Sequence, residues 1–565
     1  MRQKCNENAA NRYSYVGDVY RTGEVQRKKE TLDAMPKEWS DLHRKGYIHI
    51  HDLDAHGLTY NCLTFNIRKD FPYDDFKDSE NIEETIVGYF SYLERLFTDM
   101  GNEQSGGMAL ANFDVDTAYI LDRLGVPYCE AAMNIISACV RSLIVWCNHT
   151  HTRMGTTSYY VSLNIGLADT PFARHIDIVL LDQFLKLGDT VFKPNIVFKV
   201  VGGVNRFPDD PNYDLFTKAL LCTAKKMIPT YLLCDSKPNQ GVDPTKIAIM
   251  GCRTRVVADL YGEDASIGRG NIDNISINLP RLALEVERDH PEADTEQKIR
   301  FFKERWDEVA RITKDILLDR FKMTCARTRE DFPTNAAHHL WVEDFDDIPS
   351  VFRHGTLSIG FIGLSEAMEV LTGKRFYADP DTYMSALGFV KHMREYCDFL
   401  RGQYQLNFSL LATSGELISG RFIDYDKDEF GGHPEIFDKG FYTNSFHINV
   451  DSELPAFKKI QMEGLFHEIC NGGCITYVEL GEAPLGNDEG LREYVECAIA
   501  SGTHYLGFNF PKDICRDCKA TGVFDTCPVC GGKHITRIRR VSGYLEILDG
   551  FTKGKKNEEK TRKAN

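Results

Sequence analysis

Short apolar runs rich in β-branched residues alternate with long amphipathic stretches along most of this 565-residue chain. YYVSLNIG, NIVFKVVGGVN, FYTNSFHINV and CITYVEL read as strands, as do the shorter YIHI and LTYNCLTFNI. Residues 85–101, 131–148, 215–230, 300–319, 452–473 and 488–502 carry helical periodicity. ISINLPRLAL and SIGFIGLSEAMEVLTG each run from strand into helix. Strands interleaved with helices bury both faces of a sheet, so the pattern predicts an α/β layer architecture closed into a barrel. No internal repeat or low-complexity linker interrupts it.

The C-terminus departs from this pattern. Cys515, Cys518, Cys527 and Cys530 form C-x2-C-x8-C-x2-C. Each pair can chelate one ion through a tight turn, and four thiolates suit tetrahedral zinc or a rubredoxin-like iron. With all four positions filled by protein, the site is structural, and the metal would stabilise a segment too small for its own core. A redox dithiol is the alternative for either pair. The stretch RRVSGY follows directly, and the last 14 residues, TKGKKNEEKTRKAN, read as a solvated basic tail.

Bulk properties exclude several classes. The formal charge of −16 disfavours a general nucleic-acid surface, although Lys533, His534, Arg537, Arg539 and Arg540 make a local basic patch. No run of 18 apolar residues predicts a membrane-spanning helix. The first residues lack the apolar core of a secretory leader. Seventeen cysteines, an odd number spread along a long chain, argue against a secreted disulfide scaffold and for a reducing cytoplasm.

Two single cysteines stand in unusual surroundings. Cys252, in IMGCRTRV, follows Gly251, which allows a sharp turn that presents a thiol. Arg253 and Arg255 beside it could receive a phosphate or favour a thiolate. Cys62, in TYNCLTFNI, has Tyr60 and Asn61 as hydrogen-bonding neighbours. HIHDLDAHG brings together His49, His51, Asp52, Asp54 and His56. These could ligate a metal, but a period of two splits them across both strand faces and favours a polar cluster that shapes a pocket. GRGNIDN, Gly268–Asn274, reads as a phosphate-contacting loop without a full glycine fingerprint.

In their order and spacing, HIHDLDAHGLTYNC, GNEQSGG, MGCRTRV, GRGN-x7-LPRLAL, SIGFIGLSEA, YTNSFH, CITYVEL, the cysteine quartet and RVSGY resemble the anaerobic, class III ribonucleotide reductases. The resemblance spans almost the whole chain. It implies a ten-stranded α/β barrel of the glycyl-radical enzyme type, with a central finger loop and a small C-terminal four-cysteine metal-binding knob. It also implies a catalytic barrel over residues 1–510 without a full ATP-cone, a zinc-ribbon-like knob over 511–536, and a glycyl-radical loop and tail over 537–565.

By the same resemblance Gly543 carries a stable backbone radical, and Cys252 becomes the thiyl radical that abstracts the ribose 3′-hydrogen. Cys62 protonates the departing 2′-hydroxyl, Asn271 bonds the ribose hydroxyls, and Met250, Asn61 and Arg253 line the pocket. Family members often read VCGY where this chain has Ser542. A separate activating enzyme, carrying S-adenosylmethionine and an iron–sulfur cluster, is implied as a partner. So are a homodimer, ribonucleoside triphosphate substrates, and dNTP or ATP effectors acting near residues 84–150. Formate is the implied reductant, with a thioredoxin-like dithiol as the alternative. Another glycyl-radical enzyme, a formate-lyase or a dehydratase, is the neighbouring alternative; the single cysteine between Gly251 and Arg253 and the quartet weigh against it.

Overall fold

The computed structural model describes residues 15–69, 71–76, 81–149, 151–152, 157–158 and 160–564. Most of the segment read for a leader, residues 1–14, lies outside them. Ten strands form one continuous path. Cys62–Phe65, Met108–Leu110, Val161–Ile165, Asn195–Val200 and Thr230–Leu233 run parallel to one another. The other half holds Arg269–Asn278, Thr356–Ile362 and Asn407–Ala412, with Thr476–Glu479 and Tyr505–Asn509. The halves meet antiparallel at two seams, Cys62–Phe65 against Arg269–Asn278 and Thr230–Leu233 against Tyr505–Asn509. The free edges come together where Ala412 N–H donates to Gly473 O and Gly472 N–H to Leu410 O, at 3.1 and 2.8 Å. The expected barrel is therefore present, and the short Ile48–Ile50 strand pairs on the flank of Arg269–Asn278.

Strands such as NIVFKV are almost wholly buried because helices cover the outside of the parallel halves. Those helices start where capping chemistry allows. Thr170 caps Pro171–Lys186, Asp379 caps Pro380–Tyr404, and a reciprocal Asp294–Gln297 capping box opens Thr295–Cys325. Glu130–His149 is long and apolar enough to cross a membrane. Its buried face instead packs against Ile82–Glu103 and Pro171–Lys186.

Three local readings are corrected. FYTNSFHINV is not a strand; beyond a single bridge, Ile362 to Asn444, it is irregular backbone. GRGNIDN is not a phosphate loop but the start of the Arg269–Asn278 strand. The Arg269 guanidinium donates to the carbonyls of His354, Val257, Ala265 and Ala258. Gly270 is needed because a Cβ there would stand 2.0 Å from Cys62 O. The terminal segment is not a solvated tail either. Lys553–Thr561 is a helix that lies on Ile418–Phe430, at a contact so close that a Cβ on Gly554 would meet Gly420 N at 2.7 Å.

Composition misled there because the charges are paired rather than hydrated. Lys555 is buried against Glu558 at 2.5 Å. Arg562 donates to Glu479 at 2.5 Å and to Glu558 at 2.9 Å, and Arg539 donates to Glu559 at 2.6 Å. Removing one member of a buried ionic group strands its partners without water. Arg562→Ala should therefore cost about 3 kcal/mol locally and release the tail, read as new proteolytic cleavage after residue 552. A variant as protected as the parent chain would contradict this packing.

Candidate active site

The barrel opens onto a cleft of about 1190 Å³, open solvent at its mouth included. Between Thr230–Leu233 and Arg269–Asn278 the chain crosses the barrel as a finger. Asn164 grips it on one side, accepting from Ile249 N–H and donating to Ile249 O, at 3.0 and 3.2 Å. On the other side Arg255 N–H donates to Gly472 O at 3.0 Å. Met250 and Thr254 exchange both backbone hydrogen bonds, so Gly251, Cys252 and Arg253 make the tip. Gly251 takes φ +57°, a conformation that suits glycine. Cys252 Sγ lies 2.9 Å from Ser414 Oγ.

A second hairpin delivers RRVSGY to that tip. Ile535–Arg540 and Leu545–Ile547 pair antiparallel, and Val541–Tyr544 turn between them, closed by Val541 N–H to Tyr544 O at 3.1 Å. Arg540 is buried and ties the turn to the barrel through Phe508 O, Met227 O and, at 3.2 Å, Gly543 O. A Cβ on Gly543 would stand 2.0 Å from Cys252 O and 2.3 Å from Cys252 Cα. The two backbones are in direct contact, and only glycine fits. Tyr544 donates to Glu416 Oε2 at 2.6 Å, and both line the cleft.

Cys62 also opens onto this cleft, with Asn61. Its thiol donates to Asn61 Oδ1 at 2.7 Å, and its sulfur accepts from Gly107 N–H at 3.1 Å. Met250 packs behind Cys62 with Ala109 and Val256 rather than lining the cleft. Asn271 is the strand partner of Cys62, but its amide donates to Thr356 and Ser358, away from the cleft wall. Arg253 contributes to the wall while its guanidinium donates to Ala412 O, Thr413 O and Tyr477 Oη. Arg255, considered for a phosphate, is held by Asn239 and Pro238 O instead. His51 reaches Ser276, His49 bonds Arg421, and Asp52 accepts from Asn61, so HIHDLDAHG is the polar cluster rather than a ligand set.

Sequence reasoning passed over Ser414 and Glu416. Both sit in the TSGE joint after the Asn407–Ala412 strand, at a strand's carboxyl end where α/β folds place their sites. That strand's NFSLLA pattern was the available signal.

In the knob, the four sulfurs lie within 4.8 Å of one another, with Cys515–Cys530 at 3.6 Å and Cys518–Cys527 at 3.5 Å. A tetrahedron with Zn–S near 2.3 Å has edges of about 3.8 Å, so the donor set fits a metal and is far too wide for disulfides. Arg539 and Arg540 of the basic patch turn inward, to Asp513 and Glu559 and to backbone carbonyls. His467, Cys474 and His504 form a second cluster of ligand-type side chains. There His504 N–H donates to His467 Nδ1, leaving Nε2–H for Thr476, whose hydroxyl donates to Glu463. Burial lowers His467 to about 3, and hydrogen bonds already engage both of its ring nitrogens.

A ten-stranded barrel of two antiparallel halves, with a finger-tip cysteine pressed against a buried C-terminal glycine, is the architecture of the glycyl-radical enzymes. The fold of hydroxyproline dehydratase from Clostridioides difficile matches at TM-score 0.55 and 10% identity, over 95% of this chain and 84% of that one. The anaerobic ribonucleotide reductase of Thermotoga maritima, solved with dATP and CTP, matches at TM-score 0.70 and 16% identity, covering 96% and 90%. In sequence, the anaerobic ribonucleoside-triphosphate reductase of Escherichia coli is 29% identical over 99% of this chain and 83% of its own length. The enzyme of bacteriophage T4 is 28% identical over 93% and 91%. The family profile for anaerobic ribonucleoside-triphosphate reductase matches residues 6–564. The chain belongs to that family of radical oxidoreductases.

The quartet generates a direct test. Metal analysis should return about one ion per chain, and Cys527→Ser should lose it and speed hydrogen exchange through residues 512–540. Retention of the full metal content in that variant would refute the site.

Proposed function

We propose that this enzyme reduces ribonucleoside triphosphates with Gly543 as the radical store, Cys252 as the thiyl centre and Cys62 as the reducing thiol. The observation that carries the assignment is the contact of Gly543 with the Cys252 backbone at the rim of a cleft that also exposes Cys62. A hydrogen atom passes from the Cys252 thiol to the Gly543 α-carbon radical. The thiyl so formed takes the ribose 3′-hydrogen, and the Cys62 thiol gives a proton to the 2′-hydroxyl, which leaves as water. With formate as two-electron donor the sum balances: NTP, formate and a proton give dNTP, carbon dioxide and water. A thioredoxin-like dithiol, oxidised to its disulfide, is the alternative donor.

The barrel positions the sugar and keeps bulk water away from the radical steps. Asn61 and Arg253 line the pocket, Met250 backs Cys62, and Asn271 holds the Cys62 strand in register from behind the cleft wall. An activating enzyme that uses S-adenosylmethionine and an iron–sulfur cluster installs the radical. We further propose a zinc-holding knob over 511–536 that anchors the 537–565 loop and tail to a catalytic barrel over 1–510. The remaining features proposed are a cytoplasmic homodimer and a dNTP or ATP specificity site near residues 84–150, in line with the dATP complex of the Thermotoga maritima enzyme.

Anaerobic activation should yield a glycine-centred doublet in electron paramagnetic resonance that Gly543→Ala abolishes. Cys252→Ser and Cys62→Ser should keep the doublet and lose at least about 1000-fold in turnover. An unaltered doublet in Gly543→Ala, or turnover in Cys252→Ser, would sink the assignment. Labelled formate should appear as labelled carbon dioxide in step with dNTP; dNTP formed with a dithiol and no labelled product would establish the alternative reductant.

A further inference from the structure

The Cys62 thiol is held by an amide whose own orientation is set by a third residue. Asn61 Nδ2 donates to Asp52 Oδ2 at 2.6 Å, and Ser105 Oγ–H donates to the same oxygen at 2.7 Å. An ionised carboxylate can only accept hydrogen bonds. The NH2 end of Asn61 must therefore face Asp52, which leaves Oδ1 facing the Cys62 sulfur. A flipped amide would set Oδ1 against the carboxylate and NH2 against sulfur. Gly106 packs closely over this pair, since a Cβ there would stand 2.7 Å from Cys62 Sγ and 2.8 Å from Asn61 Nδ2. Asp52 holds φ +49° and ψ +47° between the Ile48–Ile50 strand and the Leu53–Ala55 turn. Few non-glycine residues adopt that left-handed conformation, aspartate among them, and such strain concentrates at functional sites.

We propose that Asp52 is a positioning residue for the Cys62 thiol, acting through the Asn61 carboxamide. The proposal rests on the assignment of Cys62 as the reducing cysteine. An amide oxygen against sulfur disfavours the thiolate, so the proton stays on Cys62 until the departing 2′-hydroxyl takes it. Gly107 N–H then remains on the sulfur that has lost its proton. An amide turned the other way would donate to sulfur, favour the thiolate, and leave less thiol to act as the acid.

Asp52→Asn keeps the shape and removes the orientation, since an amide can both donate and accept. In unactivated protein, the pH profile for alkylation of Cys62, followed by mass spectrometry, should move to lower pH. After activation, glycyl radical yield should match the parent enzyme. kcat should fall on the order of 10- to 100-fold with KM within about threefold, as expected for a misplaced catalytic group. Ser105→Ala should show the same signs more weakly. In an Asn61→Ala background Asp52→Asn should add almost nothing, because its effect travels through the amide. The proposal is overturned by unchanged kcat and alkylation in Asp52→Asn, or by an equal loss in the Asn61→Ala background. A radical yield that falls in step with kcat also overturns it, since that marks a merely structural role. If Cys62→Ser still turned over, the reading of Cys62 would fail instead, whatever the alkylation profile.

Discussion

The cleft depends on the contact of two main chains, Gly543 against Cys252. No side chain intervenes, and none could, with a Cβ on Gly543 only 2.0 Å from a carbonyl oxygen. The same economy surrounds the finger. A Cβ on Gly473 would stand 2.1 Å from Arg253 O, and one on Gly107 would stand 3.2 Å from Gly251 Cα. The finger tip is thus gripped by backbone from three directions. Close-packed backbone cannot drift as long side chains can, which keeps the Cys252 thiol and the Gly543 α-carbon in register, as the proposed hydrogen transfer requires.

Holding the glycine loop in that place takes interactions drawn from far along the chain. Arg540 satisfies carbonyls at Phe508, Met227 and Gly543, bridging the barrel and the loop it carries. Tyr544 is tied to Glu416, and Thr552 donates to Glu416 O at 2.7 Å before the final helix begins. Beyond it the Lys555, Glu558, Glu559 and Arg562 group is buried against Glu479 and Arg539. Buried ion groups add little net stability, because desolvation offsets their attraction, but each member is costly to remove alone. Such a group favours one docked arrangement of the tail. It also makes partial detachment of the tail expensive.

Local sequence made part of this legible. The quartet was readable because metal geometry acts over a few residues, and the long helices and buried β-branched strands because burial imposes a period. Gly251 and Cys252 were readable as a turn that presents a thiol. What failed was everything set by distant partners. TKGKKNEEKTRKAN looks like a hydrated tail until Glu479 and Asp424 are brought beside it by the fold. Arg269 looks like a phosphate ligand until four carbonyls close around it. Arg253 and Arg255 beside Cys252 share that fate. FYTNSFHINV alternates like a strand, yet its polar atoms are claimed by Glu366 and Glu463, which hold the backbone away from any sheet. Ser414 and Glu416 carry no signal beyond the strand that precedes them, and the place of Asp52 behind Asn61 is set by the fold.

The two thiols of the cleft have differently built surroundings. Cys252 faces a hydroxyl, Ser414 Oγ at 2.9 Å, which can either donate or accept. That suits a centre that exchanges hydrogen atoms, where no charge develops. Cys62 lies between an amide oxygen that accepts its proton and a backbone N–H that bonds its sulfur, a fixed and directional pair. That suits a centre that gives up a proton and then tolerates the charge left behind. A hydroxyl beside Cys62 would leave the thiol free to rotate, and an oriented amide beside Cys252 would bias a step that needs no bias. The division of labour proposed for Cys252 and Cys62 is thus matched by different neighbours, even though both are the same residue in one cleft.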